Sequence, residues 1–189
     1  MREIIQEAIL ESIRVKEELL RNNLGEIVEI SKKIIESLKK GGKLLIFGNG
    51  GSASDSQHIA AELVGRFKKD RPGLPAIALT VNTSIITALA NDFGYDIIFA
   101  RQIEALASKA DVALGISTSG KAKNVILALK QAKKMGLFTI ALTGGDGGEI
   151  AKQADIALIV PSLQTARIQE SHILIGHIIC ELVEEALIR

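Results

Sequence analysis

The sequence predicts an α/β fold: a five-stranded parallel sheet flanked by helices, with an N-terminal helical extension. Three observations predict it. Five short apolar runs, KLLIFG, PAIALT, DVALGIS, FTIALTG and DIALIV, follow one another from Lys43 onward, each running into Gly, Ser, Thr or Pro. Helical segments such as KNVILALKQAKKMG lie between them. Continuous apolar strands alternating with helices imply a sheet covered on both faces. Finally, two helix-like stretches precede the first run.

In the first stretch Ile5, Ile9, Ile13, Leu20 and Leu24 recur near helical spacing with charges between them. The second helix runs from about Leu24 to Lys40 and stops at Gly41-Gly42, a C-cap signal. The apolar stripe on this extension packs either on its own domain or on another subunit. The final segment, about Thr165 to Ile188, reads as one long helix.

The 189 residues are 47% hydrophobic and 24% charged, with net charge +1. That suits one globular domain with a sizeable core, with helices over 1–40 and the α/β core over 43–189. Near-neutral charge leaves no electrostatic footprint for nucleic acid or an acidic membrane. The N-terminus lacks the apolar core of a signal peptide, and no stretch reaches transmembrane length. A single cysteine, Cys180, excludes an internal disulfide framework and fits a reducing cytoplasm. A soluble, cytoplasmic protein is expected. With no Trp and one Tyr, aromatic stacking is not expected to carry recognition.

In open α/β sheets ligands bind beyond the carboxyl ends of the strands. After KLLIFG comes NGGSAS, where Gly50 and Gly51 let backbone amides approach a ligand and the following helix offers unpaired N–H groups. The stretch is neither a dinucleotide fingerprint nor a Walker loop. In GISTSG, Ser117, Thr118 and Ser119 set three hydroxyls just ahead of a helix start. One hydroxyl would serve as an N-cap; three are more than a cap needs and make a neutral cradle for a phosphosugar. GGDGGE, residues 144–149, reads as a plain turn.

His58 and Glu62 lie one turn apart on one helix face, a pair able to hold a divalent metal or to act as a positioned base. A solvated helix face is the commoner outcome for a bare pair of this kind. Gln169, His172 and His177 sit in the apolar last helix, where a histidine satisfied by a backbone carbonyl is the ordinary alternative; Cys180 reads as a small core residue. Gln169 and His177 are about 12 Å apart along a helix axis and differ in direction by about 80°. If both serve one site, different subunits supply them.

Taken together, GNGGSASDSQHIAAEL, RPGLPAIAL, ANDFGYDIIF, GISTSG, ALTGGDGG and ARIQESHILIGH resemble the phosphoheptose isomerases of the sugar isomerase (SIS) domain superfamily, in order and across nearly the whole chain. The resemblance implies a single SIS domain, a three-layer sandwich, over residues 1–189. It also implies a homotetramer with active sites at subunit interfaces, and one zinc ion per subunit. The implied reaction is isomerisation of sedoheptulose 7-phosphate to glycero-manno-heptose 7-phosphate through an enediol, toward nucleotide-activated heptose for lipopolysaccharide core and other surface glycans. Carried over residue by residue, Asn49, Gly50, Gly51 and Ser52 match the substrate loop, and Asn91 and Asp92 the pair that meets the sugar. Ser117, Thr118 and Ser119 match the phosphate site, and His58, Glu62, Gln169 and His177 the zinc ligands. Among these, Glu62 matches the general base and His177 the general acid, and Gln169 also borders the substrate; His172 matches no assigned role.

Two positions depart from the family pattern. Ala122 stands where a further serine follows the Ser-Thr-Ser motif, with Lys121 and Lys123 beside it, and Ala166 stands where some members carry aspartate. Two rival functions remain at this level. One is a non-enzymatic SIS-domain protein bound to a replication initiator, which lacks the counterparts of Glu62 and His177. The other is an isomerase for a different sugar phosphate.

Overall fold

The computed structural model describes residues 1–187; Ile188, the expected end of the last helix, and Arg189 lie outside the described residues. The chain runs α1 (Arg2–Asn22), α2 (Leu24–Lys39), β1 (Leu44–Gly48), α3 (Gly51–Val64), β2 (Ala76–Ala78), α4 (Thr83–Phe93), a 3-10 turn (Tyr95–Ile97) and α5 (Ile98–Leu106). It continues through β3 (Val112–Ser117), α6 (Lys123–Lys134), β4 (Phe138–Gly144), α7 (Gly148–Gln153), β5 (Ile156–Val160) and α8 (Thr165–Leu187). Each of the five apolar runs contains one strand. Helix α2 stops where the glycine pair requires. Gly41 takes φ 78°, and a Cβ on Gly42 would lie 2.3 Å from the Ala110 carbonyl oxygen.

All five strands are parallel, in the order β2-β1-β3-β4-β5. One register row crosses the sheet through Ala78, Ile46, Leu114, Ile140 and Ile156. This row belongs to the face packed by Ile30 and Ile34 of α2, Ile59 and Leu63 of α3, and Ile175 and Ile179 of α8. The alternate residues, such as Leu45, Ala113 and Ala141, face Phe99 and Ile103 of α5, Val125 and Leu129 of α6 and Ile150 of α7. Burial on both faces explains why the runs are continuously apolar rather than alternating. The chain turns from β1 outward to β2 and then back to β3, so β1 and β3 flank the switch point of the sheet. Their carboxyl ends are in register at Gly48 and Ile116. The motifs after β1 and β3 therefore meet.

The N-terminal stripe goes uncovered by its own domain. Val15 and Leu19 of α1 are buried, but Ile5, Ile9, Ile13, Leu20 and Leu24 are all exposed, Ile5 by 60% and Leu20 by 63%. Polar contacts dock α1 along α8 instead: Ser12 donates to Glu170 at 2.7 Å, and Arg167 donates to the Ala8 carbonyl at 2.5 Å. Helix α4 buries none of its residues. Among the described residues, no helix is long and apolar enough to cross a membrane.

Two loops at the carboxyl end of the sheet interlock backbone to backbone. Gly120, after β3, takes φ +67°, and a Cβ there would lie 2.3 Å from the Gly147 carbonyl oxygen. Its own carbonyl accepts from the Ile150 N–H at 3.0 Å. Gly120→Ala is therefore expected to lose about 2–4 kcal/mol, from left-handed backbone strain and overpacking together. Urea unfolding of the variant checks this, and a midpoint equal to that of the wild type contradicts it.

Candidate active site

The loop after β1 is built around Gly50, whose φ of 57° at the start of α3 would strain any other residue. Just before it, Asn49 makes a reciprocal amide pair with Asn124 of α6, each Nδ2 donating to the other's Oδ1 at 2.9 Å. The Tyr95 hydroxyl also donates to Asn49 Oδ1, at 3.2 Å. Asn124 is only 3% exposed and also accepts from the Val125 N–H, so it is the fixed member of the pair. Neither Asn124 nor Tyr95 was among the residues expected at the site. A reciprocal pair separated by 75 positions has no local sequence signal. Asn124→Ala leaves the Asn49 amide without its fixed partner and is expected to cost about 1–3 kcal/mol of stability. Urea unfolding checks this, and an unchanged midpoint counts against it.

Ser117, Thr118 and Ser119 follow in the adjacent strand and loop, grading from buried to exposed. The capping explanation for these hydroxyls does not apply. The N-cap of α6 is Ala122, which makes no side-chain bond, and among the described residues the Ser117 and Thr118 side chains have no hydrogen-bond partner. Thr118 faces a cleft of about 310 Å³, lined also by Ser119, Lys121, Gly145, Asp146 and Leu163. The segment expected as a plain turn thus also walls this cleft. Ser52, in the first turn of α3, is 3% exposed.

Helices α3 and α8 run parallel and in step. Gly51 abuts Gln169, Ile59 abuts Gly176, and His58 meets His177. The Gly51 contact is close: a Cβ there would come within 2.4 Å of Gln169 Nε2. At the far end, His58 Nε2 lies 3.0 Å from Glu62 Oε1 and 3.1 Å from His177 Nε2. The donor atoms of His58, Glu62 and His177 all lie within 4.8 Å of one another. Two imidazole nitrogens and a carboxylate oxygen turned toward one point are a donor set suited to a divalent metal such as zinc. Gln169 does not reach this cluster within one chain; it lies at the substrate-loop end of α8, about 12 Å from His177 along the axis. Asn91 and Asp92 are exposed on α4, where Asn91 Nδ2 donates to Asp92 Oδ1 at 2.8 Å.

The carbonyl-satisfied core histidine is His172, not His177. It is fully buried and bonded to the Thr143 carbonyl at 3.1 Å, and burial pushes its pKa down to about 4. It is neutral and structural. Cys180 is a core thiol, pushed up to about 12 chiefly by burial. Asp55 was not foreseen. It lies on the α3 stripe of Gly51, His58 and Glu62, with a buried Oδ2 that has no hydrogen-bond partner among the described residues. Burial raises its carboxyl to about 6, partly opposed by His58.

Residues 9–144 match the model of the SIS domain family. A phosphoheptose isomerase of Thermodesulfovibrio yellowstonii is 54% identical over 183 residues, covering 97% of this chain and 91% of that relative. One from Aquifex aeolicus is 55% identical, covering 98% and 97%. Among solved structures, phosphoheptose isomerase GmhA from Neisseria gonorrhoeae superposes with a TM-score of 0.93 at 43% identity, covering 97% of this chain and 98% of that one. A phosphoheptose isomerase from Francisella tularensis superposes with a TM-score of 0.94 at 39% identity, covering 97% of each. With its parallel sheet, its loops meeting at the β1–β3 switch point and matches of this extent, the chain belongs to the SIS domain family, among the phosphoheptose isomerases.

Proposed function

We propose that the protein isomerises D-sedoheptulose 7-phosphate to D-glycero-D-manno-heptose 7-phosphate in the cytoplasm, supplying nucleotide-activated heptose for lipopolysaccharide and other surface glycans. The observation that carries this is the meeting of Glu62 with His177 in one cluster, in a chain that also sets three hydroxyls at the end of β3. A non-enzymatic binding protein has no use for that pair.

Ser52, Ser117, Thr118 and Ser119 hold the phosphate through hydroxyls and helix-start amides. Asn49, Gly50 and Gly51 orient the sugar from one side, with Asn91, Asp92 and Gln169 completing its contacts. Glu62 takes a proton from C1 of the ketose and returns it to C2 of the enediol. His177 moves the remaining proton from the C1 oxygen to the C2 oxygen, so that the carbonyl passes from C2 to C1. No proton is gained or lost overall.

His58, Glu62 and His177 of one chain would hold zinc, with Gln169 as a further ligand. When bound, the ion stabilises negative charge on substrate oxygen and fixes the site's shape. Because Gln169 and His177 of one chain lie apart, a neighbouring subunit supplies the Gln169 ligand. The exposed stripe of α1 and the unburied α4 are the surfaces that build a homotetramer around such shared sites.

Purified protein incubated with sedoheptulose 7-phosphate, and with fructose 6-phosphate for comparison, tests the reading with and without zinc. Aldose formation from the heptulose is expected. Turnover of neither substrate with zinc supplied overturns it, and preference for the hexulose reassigns the substrate.

A further inference from the structure

Phe67 stacks on His177, with ring centroids 5.4 Å apart and planes 26° from parallel. On another side of the same imidazole stands the His58 ring, edge-on at 4.9 Å and 62°. Phe67 belongs to no helix or strand. It lies in the irregular segment between α3 and β2, where a side chain ordinarily has freedom to move.

That freedom has been removed by a buried ionic frame. Glu184 of α8 accepts from the backbone N–H groups of Phe67 and Lys68 at 2.8 Å each, and of Lys69 at 3.2 Å. Arg71 Nε donates to the same carboxylate at 2.9 Å. Its Nη2 donates to the Glu62 carbonyl at 2.9 Å and its Nη1 to the Leu63 carbonyl at 2.7 Å. The two side chains are 0% and 2% exposed. Charge-assisted bonds on both partners make these contacts stronger than ordinary neutral hydrogen bonds. The frame ties together the end of α3 that carries Glu62, the helix that carries His177, and the backbone of Phe67.

From this we infer that Phe67 is a positioning residue for the isomerisation. Its flat face fixes the plane of the His177 ring, so that the imidazole keeps one orientation at the site. The inference rests on the reading of His177 as the acid–base group.

The test compares Phe67→Leu, which keeps an apolar side chain but loses the flat face, with Phe67→Tyr, which keeps both. In the zinc-loaded enzyme Phe67→Leu is expected to lose about 10- to 100-fold in kcat with KM little changed, and Phe67→Tyr to restore kcat. A second readout is independent of turnover. In protein labelled at histidine ring carbons, the His177 ring-proton resonance is shifted upfield by the Phe67 ring current. It moves back in Phe67→Leu and stays in Phe67→Tyr. An unshifted His177 resonance in the wild type overturns the inference, as does a Phe67→Leu enzyme with full kcat or with a defect in KM alone. His177→Gln, measured alongside, separates the two layers. If that variant is inactive and Phe67→Leu is not, only the positioning role falls; if it retains activity, the acid–base assignment falls.

Discussion

Glu62→Gln is expected to lower kcat by about 100- to 10,000-fold, the usual worth of a positioned general base. In energy this is about 3–5 kcal/mol of transition-state stabilisation. Glutamine keeps the shape of the side chain and still hydrogen-bonds to His58, so the fold and the helix face survive. What it lacks is an oxygen able to take a proton from carbon. The Glu62 carboxylate is 24% exposed and paired at 3.0 Å with His58 Nε2, which holds it while leaving it reachable. Aldose formation from sedoheptulose 7-phosphate, with the zinc content of the variant measured alongside, checks the prediction. A zinc-loaded variant with activity within about tenfold of wild type places the base elsewhere.

The second large effect falls on stability. Glu184→Ala is expected to cost about 3–5 kcal/mol, because it leaves the Arg71 guanidinium buried without its charge partner. Three backbone N–H groups lose their acceptor in the same stroke. These bonds hold the Glu184 carboxyl at about 2 against an ordinary value of 4.5. The folded-state pKa lies below the unfolded one, so the contribution is complete above about pH 4.5. As the pH falls from there through about 2, the unfolded chain takes up the proton first and the contribution is lost. Urea unfolding from pH 6 down to pH 2.5, on wild type and on Glu184→Gln, checks both points: the variant is less stable at pH 6, and its stability changes less across the acid range. A wild-type curve no steeper than the variant's contradicts the assignment.

How much of this was legible in the sequence depended on distance along the chain. Strand positions were legible because burial on both faces demands unbroken apolar runs, as in Leu44–Gly48 and Val112–Ser117. The pairing of His58 with Glu62 follows from helical period alone. The separation of Gln169 from His177 also follows from period, since both lie on α8 about two turns apart. Other features were hidden for a physical reason. Ile5, Ile9 and Ile13 announce that something must cover them, but apolar character does not say which chain does so. Arg71 and Glu184 are 113 positions apart, and Asn49 and Asn124 are 75 apart. Such pairs depend on the finished packing, which no local pattern encodes. His172 and His177 look alike in the sequence, five residues apart on one apolar helix. Only the direction each faces separates a neutral core imidazole from one turned toward the cluster.

Helix α8 follows every strand of the sheet, yet it carries His177, Gln169 and Glu184. During synthesis α3 and the segment holding Phe67 are made before α8, so that segment begins with three amide donors and a guanidinium unmatched. The catalytic corner is therefore completed last, through contacts between residues far apart in the chain, which are slow to form. A nascent chain halted before α8 would leave the sheet face that Ile175 and Ile179 cover open to water, with no working chemistry. Activity can thus serve as a clock for the final docking step, distinct from the earlier signal of secondary structure.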